Sequence, residues 1–249
     1  MDKTLITERF GACLPTYHTE ASVQKQICRT LADLIPVRTF DHILEIGCGT
    51  GFLTRMLLEK YTAKNWYIND LVPVANKWID PLKESYPDAS IHFFAGDAES
   101  LEFPKNQELI ISASTIQWFE DLQGFFKKAA QNLTKGGLLA FSTFGPENMI
   151  EIKTSSGIGL EYPSLDALKN YIPNDFKITT LKEEKIILEF TNAREVLNHI
   201  RKTGVNGISR EKWTRSKFLD FCMKYEENYT VGDKVTLTYH PVFMVCEKE

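Results

Sequence analysis

A glycine-rich turn that joins an apolar segment to a helical one constrains the fold of this chain more than any other feature. Residues 43–46 are apolar except for one glutamate, and they lead directly into the motif Gly47-x-Gly49-x-Gly51. Residues 52–61 then place apolar side chains at helical spacing. This order predicts a buried strand, a tight turn and a helix, the unit that binds nucleotide-like ligands at the edge of an open α/β sheet. The glycines permit positive φ and a close approach of the backbone to a ligand, and N–H groups at the start of the helix are expected to face it.

The spacing of the glycines and the acidic residue before them narrow the choice of ligand. Dinucleotide-binding folds usually carry G-x-G-x-x-G to seat a pyrophosphate, but here the third glycine, Gly51, comes one residue early. Glu45 precedes the first glycine, and a carboxylate there suits a cationic amino group better than two phosphates. The motif resembles the cofactor motif of the S-adenosylmethionine-dependent methyltransferases. The resemblance implies that Glu45 supports the turn and helps to hold the amino group of the methionyl portion.

Strand and helix patterns alternate along the rest of the chain, as in a doubly wound sheet. Strands are predicted at residues 42–46, 66–69, 91–95, 109–113, 138–143, 185–190 and 235–245. Helices are predicted at residues 20–34, 52–61, 73–86, 122–133, 164–171, 193–203 and 216–226. The resemblance implies one domain over residues 1–249 with the Rossmann-like class I methyltransferase fold, an α/β fold with a seven-stranded, mostly parallel sheet and helices on both faces.

Two segments are expected to cover the carboxyl ends of the strands. Residues 1–40 are interpreted as an N-terminal helical segment that closes the site. Residues 145–175 are interpreted as a lid-like insertion after the fifth strand, because residues 145–162 are rich in Gly, Ser and Pro and show no clear periodicity. Residues 145–162 contain one basic residue, Lys153, so no cation is assigned to an anionic acceptor.

Acidic residues at the ends of the next two strands extend the expected cofactor site. Asp70 ends the second strand, nineteen residues after Gly51, where an acidic side chain can accept hydrogen bonds from ribose hydroxyls. The alternative is that Asp70 caps the following helix. By resemblance, Asp97 accepts from the adenine amino group and the Ala98 main chain meets the ring. The resemblance also implies cofactor contacts for Gln24, Leu71 and Ser112.

The segment after the fourth strand, residues 112–118, is where the acceptor is expected. Methyltransferases that act on amines often carry an acidic or Asn-Pro-type motif there, and this chain has none. Gln117 offers a neutral amide, and Trp118 offers an aromatic face with one N–H donor. Trp118 has the alternative role of an ordinary core residue.

With this Gln-Trp pair, the chain resembles the malonyl-acyl-carrier-protein O-methyltransferases of biotin synthesis. Similar segments extend over most of the chain, at residues 17–24, 141–145, 197–206 and 237–242. The resemblance implies that Tyr17 and Gln24 line the pocket, that Tyr17 and Trp118 form its walls, and that Gln117 orients the acceptor. Tyr17 has the alternative role of packing between helices.

The reaction implied by the resemblance transfers a methyl group from S-adenosylmethionine to the free carboxylate of a malonyl thioester, giving the methyl ester that primes pimeloyl and biotin synthesis. A carboxylate is already ionised at neutral pH, so no general base is needed. This agrees with the lack of an acidic or histidine residue in residues 112–118. Two alternatives stay open: a small-molecule carboxylate O-methyltransferase of the trans-aconitate type, and a non-catalytic cofactor-binding partner of another methyltransferase.

The charge of the chain is unevenly distributed. The formal net charge is −4, yet residues 194–217 carry seven basic and two acidic residues, which leaves −9 for the remainder. A basic segment on an acidic protein favours an acidic partner. By resemblance this partner is the acyl-carrier protein, docked around Arg201, Lys202 and Arg215, and the alternative is a solvated helix face. RNA is not favoured, because the chain is acidic overall and shows no separate RNA-binding module.

The rest of the composition argues against several classes of protein. No run of about 18 apolar residues is present, so no membrane span is expected. Residues 1–10 lack the apolar core of a signal peptide. Five scattered cysteines without a C-x-x-C pair are typical of a reduced, cytoplasmic protein. The five histidines show no metal-ligand spacing, so no metal is expected.

Overall fold

Two helices open the chain in the computed structural model, which describes residues 2–203 and 213–249. They are α1 (Lys3–Glu20) and α2 (Ser22–Leu34), and they meet at Ala21, where the backbone leaves the helical region with φ −83° and ψ 54°. The Asp2 side chain caps α1 by accepting from the Leu5 N–H over 3.0 Å. The helix predicted from residue 20 corresponds to α2, whereas α1 is only weakly amphipathic and its periodicity does not mark it.

A seven-stranded sheet forms the centre of the molecule. Its strands are β1 (His42–Ile46), β2 (Asn65–Asp70), β3 (Ser90–Ala95), β4 (Gln107–Ala113), β5 (Leu133–Phe144), β6 (Phe176–Glu183) and β10 (Pro241–Lys248), in the order β3-β2-β1-β4-β5-β10-β6. Only β10, between β5 and β6, runs antiparallel to its neighbours. The predicted seven-stranded, mostly parallel sheet is confirmed. The strand order reverses between β1 and β4, the place where open α/β sheets bind ligands.

Helices cover both faces of this sheet. The remaining helices are α3 (Phe52–Lys60), α4 (Asn76–Ser85), α5 (Leu122–Asn132), α6 (Ile150–Ser156), α7 (Leu165–Tyr171), α8 (Ala193–Lys202) and α9 (Arg215–Tyr229). Neighbouring residues of β1 serve opposite faces: Ile43 packs in the core beneath α2 and α3, and Leu44 packs with Phe125 and Phe126 of α5. Burial on both faces explains why β1 reads as a nearly continuous apolar run. In the part of the chain that the structure describes, no helix has the length and apolar character needed to cross a membrane.

The structure corrects the membership of the sheet. Residues 185–190 do form a strand, β7 (Ile186–Phe190), but it pairs with β9 (Lys234–Tyr239) in a separate three-stranded sheet completed by β8 (Thr230–Val231). Its expected place in the main sheet is taken by β6, which the sequence pattern did not predict. Because β6 is an edge strand with mostly half-exposed and exposed side chains, its apolar alternation is weak.

The predicted final strand, residues 235–245, is two strands in two sheets. β9 ends at Tyr239 and β10 begins at Pro241. Pro241 has no N–H to donate, so a continuous ladder is interrupted there. The intervening His240 donates its N–H to Asn148 Oδ1 over 3.1 Å instead. One continuous strand pattern in the sequence therefore contributes β9 to the small sheet and β10 to the main sheet.

The insertion after β5 contains more regular structure than its sequence predicts. Helix α6 lies within residues 145–162, where an irregular loop was expected. The Gly145 N–H donates to the His240 carbonyl over 2.8 Å, and the Met149 N–H donates to the Thr238 carbonyl over 2.7 Å. The start of the insertion is thus tied to the β9–β10 junction, and α6 packs against α9 and β9. Its closing role stays a prediction, because no described residue of the insertion lines the cavity above the sheet.

Candidate functional site

The glycine loop between β1 and α3 is tied to the end of β2. All three glycines of the loop have positive φ (74°, 54° and 73°), as their spacing predicts. The N–H groups of Gly47 and Cys48 both donate to the Asn69 carbonyl, over 2.9 and 3.0 Å, and the Gly49 N–H donates to Asp70 Oδ2 over 2.7 Å. The N–H groups of Gly47, Cys48 and Gly49 are therefore used within the protein, and the expected role of the N–H groups at the start of α3 stays a prediction. What the loop provides is a close approach of its main chain to the space above the sheet.

A cavity with about 1000 Å³ of space, its open mouth included, lies above this loop at the carboxyl ends of β1, β2 and β4. Helix α1 forms its roof with side chains spaced by three or four residues: Lys3, Ile6, Phe10, Leu14 and Tyr17. Nine predicted site residues are brought together in its lining: Tyr17, Glu45, Gly47, Gly49, Asp70, Leu71, Asp97, Ala98 and Trp118. Within the described residues, no three His, Cys, Asp or Glu side chains are grouped to hold a metal ion.

Four other predicted site residues are not part of the cavity lining: Gln24, Gly51, Ser112 and Gln117. The Ser112 hydroxyl donates to the Ile46 carbonyl over 3.0 Å, which joins the ends of β1 and β4. Gln117 Nε2 donates to the Ser114 carbonyl over 2.6 Å. Gln24 is buried on the inner side of α2. Ser112 and Gln117 thus bond to the main chain of residues that line the cavity.

Asp70 is almost fully buried and uses both carboxylate oxygens. Oδ2 accepts from the Gly49 N–H over 2.7 Å, and Oδ1 accepts from the Val72 N–H over 2.8 Å. Burial raises the pKa of Asp70, and these two donors offset part of the rise because they stabilise the charged form. The alternative of a helix cap is not what the structure shows, since α4 begins after Ala75 without a side-chain cap. A carboxylate has further lone pairs with which it can accept from a ligand hydroxyl.

Glu45 is a buried carboxylate with no cationic partner in the described part of the chain. The residue is 1% exposed, lines the cavity, and has no hydrogen-bond partner at Oε2. Burial raises the pKa of Glu45 to about 8; contacts with Thr54 oppose this rise, and the charge of Asp70 adds to it. An unpaired buried carboxylate is costly to the folded chain. The site can therefore accept a cationic group from a ligand.

Asp97 is held by the first residue of α1. Lys3 Nζ lies 2.5 Å from Asp97 Oδ2 and also pairs with Glu99. Asp97 Oδ1 accepts from the Glu99 N–H over 3.0 Å. Burial disfavours the charge on Asp97, but the contacts with Lys3 and with the Glu99 N–H outweigh it and lower the pKa of Asp97. Sequence reasoning missed Lys3, because no local pattern signals a partner 94 residues away.

Aromatic side chains form much of the remaining wall. Tyr17 stacks on Phe52 with ring centroids 6.0 Å apart, and Trp118 meets Phe10 edge-on at 5.5 Å. Burial raises the pKa of Tyr17 well above its usual value, so its hydroxyl is neutral at physiological pH. Trp118 is 8% exposed, and its Nε1 is buried without a hydrogen-bond partner. The indole is thus a core residue and a cavity wall at once.

Two polar residues after β4 line the cavity and were not predicted. Ser114 has φ 52°, an uncommon value for a residue other than glycine, and its buried Oγ has no hydrogen-bond partner. Thr115 Oγ1 lies 3.4 Å from the Gly47 carbonyl. Their position just after a predicted strand could have marked them as candidate site residues. Nothing in the sequence, however, indicates their backbone conformation or their burial.

The basic segment predicted at residues 194–217 lies partly in α8 and α9, and its residues 204–212 fall outside the described part of the chain. Arg201 and Arg215 are exposed, whereas Lys202 pairs with an acidic residue of α1 over 3.1 Å. The end of α8 is bonded to α1: Cys13 Sγ and Thr16 Oγ1 donate to the carbonyls of Arg201 and Lys202 over 3.1 and 3.0 Å. Arg201 and Lys202 therefore lie beside the helix that roofs the cavity.

Known proteins resemble this chain in sequence and in fold. The Methyltransferase domain family matches residues 44–141, which hold the glycine loop and the strand ends of the site. The malonyl-[acyl-carrier protein] O-methyltransferase of Porphyromonas gingivalis is 38% identical over 99% of this chain and 96% of that protein. Its counterpart in Bacteroides fragilis is 40% identical over 99% of this chain, which spans half the length of that relative. An S-adenosylmethionine dependent methyltransferase from Mesorhizobium loti superposes with a TM-score of 0.54 at 17% identity, over 88% of this chain and 96% of the other, and shows a common fold.

Similarity at this level over nearly the whole length of a relative confirms the resemblance seen in the sequence. Methyltransferases of this class use S-adenosylmethionine as the methyl donor. The chain therefore belongs to the malonyl-[acyl-carrier protein] O-methyltransferase family, within the class I S-adenosylmethionine-dependent methyltransferases.

Proposed function

We propose that this protein transfers a methyl group from S-adenosylmethionine to the free carboxylate of a malonyl thioester on acyl-carrier protein. The product is the methyl ester that primes pimeloyl and biotin synthesis. The observation that carries the proposal is the cavity lining, whose described residues include three carboxylates and several aromatic rings but no histidine. An acceptor that is already ionised needs no general base. Relatives 38% and 40% identical to the chain are named for this activity.

The adenosine portion of the cofactor is assigned to the ends of β2 and β3. Asp97 and the Ala98 main chain would meet the adenine, and Asp70, with Leu71 beside it, would accept from the ribose hydroxyls. Lys3 and the Glu99 N–H already engage Asp97. Each carboxylate oxygen can accept more than one hydrogen bond, so adenine can be added to these contacts.

The methionyl portion is assigned to the glycine loop. A Cβ added at Gly49 would meet no atom within 4 Å, which supports open space above the loop at that point. Glu45, with an unpartnered Oε2, would accept from the amino group. Gly47, Gly49 and Gly51 would allow the close approach, since they hold the positive φ that the turn requires. When bound, S-adenosylmethionine supplies a methyl group on a positively charged sulfur.

The residues at the acceptor end are proposed to hold and orient the reactants. The rings of Tyr17 and Trp118 would attract a sulfonium by cation–π interaction, worth about 1 kcal/mol and more when water is excluded. The α1 roof would exclude water, which favours a step in which a cation and an anion neutralise each other. Gln117 is proposed as a positioning residue that acts through the Ser114 carbonyl, with Gln24 and Ser112 as supports of the wall.

Transfer of a labelled methyl group to three acceptors offered in parallel tests the proposal. Purified protein is given malonyl-carrier protein, malonyl-coenzyme A and trans-aconitate, and products are read by intact mass and by esterase treatment. An esterase-sensitive methyl group on the malonyl carrier is the expected result. Transfer to trans-aconitate alone would favour the small-molecule enzyme. Cofactor binding without transfer to any acceptor would favour the non-catalytic partner.

The carrier protein is proposed to dock around Arg201, Lys202 and Arg215. Exposure of the two arginines supports this placement, and so does the contact between the end of α8 and the roof helix α1. An acidic partner bound there would be one helix away from the cavity.

We also propose the cytoplasm as the location, because none of the five cysteines, all within the described residues, forms a disulfide.

Reversing the charge of Arg201, Lys202 and Arg215 to glutamate is expected to raise the KM for malonyl-carrier protein about tenfold or more at low salt. The physical reason is the loss of electrostatic attraction to an acidic partner. The KM for malonyl-coenzyme A and the affinity for cofactor should change little. A matched control reverses three exposed lysines near the opposite ends of the strands, Lys64, Lys105 and Lys135. If both triple variants behave alike, the docking proposal is wrong.

Cofactor affinity is expected to rise with pH from about pH 6 to about pH 8, because Glu45 must be ionised to accept from an ammonium group. With a pKa of about 8, Glu45 is mostly protonated at the lower limit. Each pH unit below that pKa should weaken binding about tenfold. Titration calorimetry with S-adenosylhomocysteine, in buffers of different ionisation enthalpy, should show release of close to one proton per ligand near pH 6.

Glu45→Gln is the control, since it keeps the side-chain volume and removes the titration. An unchanged pH slope in this variant would contradict the assignment of Glu45.

The raised pKa of Glu45 also has a consequence for the stability of the fold. Because the folded chain binds a proton that the unfolded chain has lost, the free energy of unfolding without ligand should fall as pH rises from about 4.5 to about 8. Glu45→Gln should flatten that slope.

A further inference from the structure

Ser114 combines an unusual backbone with a hydroxyl that nothing in the structure uses. Its φ of 52° lies in the left-handed region, which costs a residue with a Cβ on the order of 1 kcal/mol. Its N–H donates to Ser142, and its carbonyl accepts from Gln117 Nε2 over 2.6 Å. Ser114 lines the cavity, and its Oγ is buried without a hydrogen-bond partner. A strained backbone that holds an unsatisfied donor in a cavity is a sign of a ligand contact.

Trp118 is a second lining residue of the same cavity with an unused neutral donor. It is the last residue of a short 3-10 turn, Ile116–Trp118, which begins two residues after Ser114. The Trp118 N–H donates to the Thr115 carbonyl over 3.0 Å, which fixes the turn. Its indole Nε1 is buried without a partner, so the N–H group has lost its water without gaining an acceptor. Two cavity-lining residues therefore each hold a buried donor without an acceptor.

The described lining of the cavity offers an entering anion few cationic partners. Among the described lining residues, Lys3 is the one with a cationic side chain, and it is paired with Asp97 and Glu99. Three of the other lining groups, Glu45, Asp70 and Asp97, are acidic. An entering carboxylate that is to avoid these groups has neutral N–H and O–H donors as its available partners.

We infer that the Ser114 hydroxyl and the Trp118 indole N–H hold the carboxylate of the acceptor. The inference rests on the proposed function and adds the residues that recognise the substrate's free acid. Hydrogen bonds from neutral donors to a charged acceptor are strong. They satisfy part of the carboxylate without a protein cation, so the sulfonium of the cofactor is its counter-ion. The methionyl carboxylate of the cofactor has an ammonium group on the same carbon, whereas the malonyl carboxylate has no such internal partner.

The test compares Ser114→Gly with Ser114→Ala, two variants that remove the hydroxyl but differ in backbone strain. Glycine adopts φ 52° without cost, whereas alanine keeps the strain of serine. Both variants are expected to lower kcat/KM for malonyl-carrier protein about 10- to 100-fold, with affinity for S-adenosylhomocysteine unchanged. A purely structural role would instead make alanine clearly worse than glycine. Trp118→Phe, which keeps an aromatic wall and removes the N–H, should lower kcat/KM in the same direction.

A binding measurement separates this inference from the proposed function. Enzyme loaded with sinefungin, which carries an ammonium group in place of the methylated sulfur, should bind malonyl-coenzyme A about tenfold or more tightly than acetyl-coenzyme A, and Ser114→Gly should erase that difference. Wild-type kcat/KM in Ser114→Gly, or a loss confined to cofactor affinity, would overturn the inference while methyl transfer by the wild type stands. Failure of the wild type to methylate any malonyl thioester would instead count against the proposed function.

Discussion

Replacing Asp70 with alanine is expected to weaken cofactor binding at least about 100-fold, or roughly 2.7 kcal/mol. The carboxylate accepts from the N–H groups of Gly49 and Val72, at 2.7 and 2.8 Å, and is proposed to accept from the ribose. Alanine would leave two buried N–H groups unsatisfied, at a cost of about 1–3 kcal/mol each, and would loosen the glycine loop. Calorimetric titration with S-adenosylhomocysteine measures the loss, and kcat/KM should fall by a similar factor.

Two further variants make this result specific. Asp70→Asn keeps the volume and one acceptor oxygen but turns an NH₂ group toward one of the backbone donors, so an intermediate loss is expected. Asp80→Ala removes an exposed aspartate of α4 whose partners are Asn76 and Lys83, and it should bind cofactor like the wild type. Cofactor affinity of Asp70→Ala within a few-fold of the Asp80→Ala value would show that Asp70 does not organise the site.

Replacing Gly47 with alanine is expected to destabilise the fold by about 2–4 kcal/mol and to abolish measurable cofactor binding. Two separate effects add. Gly47 has φ 74°, and a Cβ there would lie 2.1 Å from Thr115 Oγ1 and 2.8 Å from Thr115 Cβ. Since the Thr115 Cβ cannot rotate away, the loop or the segment after β4 must shift. For a chain of this size the melting temperature should drop by roughly 5–15 °C in a thermal unfolding experiment.

Gly136→Ala is the matched control for that clash. Gly136 has nearly the same φ, 71°, but a Cβ there would meet no atom within 4 Å. The control therefore carries the backbone cost alone, about 1 kcal/mol. If both variants lost the same stability, the contact between Gly47 and Thr115 would not be the constraint that the structure indicates.

The local sequence was enough to predict those parts of the site that are formed within a single short segment. The strand, turn and helix at residues 42–61 were predictable because apolar periodicity and glycine spacing act over a few residues. That Asp70 and Asp97 would lie close together was predictable because parallel strands bring their carboxyl ends to one edge of the sheet, and both line the cavity. The predicted seven-stranded, mostly parallel sheet followed from the resemblance, and the structure confirms it.

Sheet membership could not be read from the same patterns. Residues 185–190 have the pattern of a strand wherever they pair, and periodicity does not say which sheet receives them. The weak pattern of β6 hid an edge strand, and the break at Pro241 assigned one apolar run to two sheets. Pairing partners are set by packing between distant segments, which a local pattern does not record.

The sequence by itself determined which residues could meet at the carboxyl edge of the sheet. Only the tertiary structure decided what those residues do to one another. It paired Lys3 with Asp97, engaged N–H groups of the glycine loop with the end of β2, and bonded Gln117 to the Ser114 carbonyl. It also raised the pKa of Glu45 and left the Ser114 hydroxyl unsatisfied. Charge state and hydrogen-bond satisfaction depend on burial and on partners far away in the chain, and both exist only once the chain has folded.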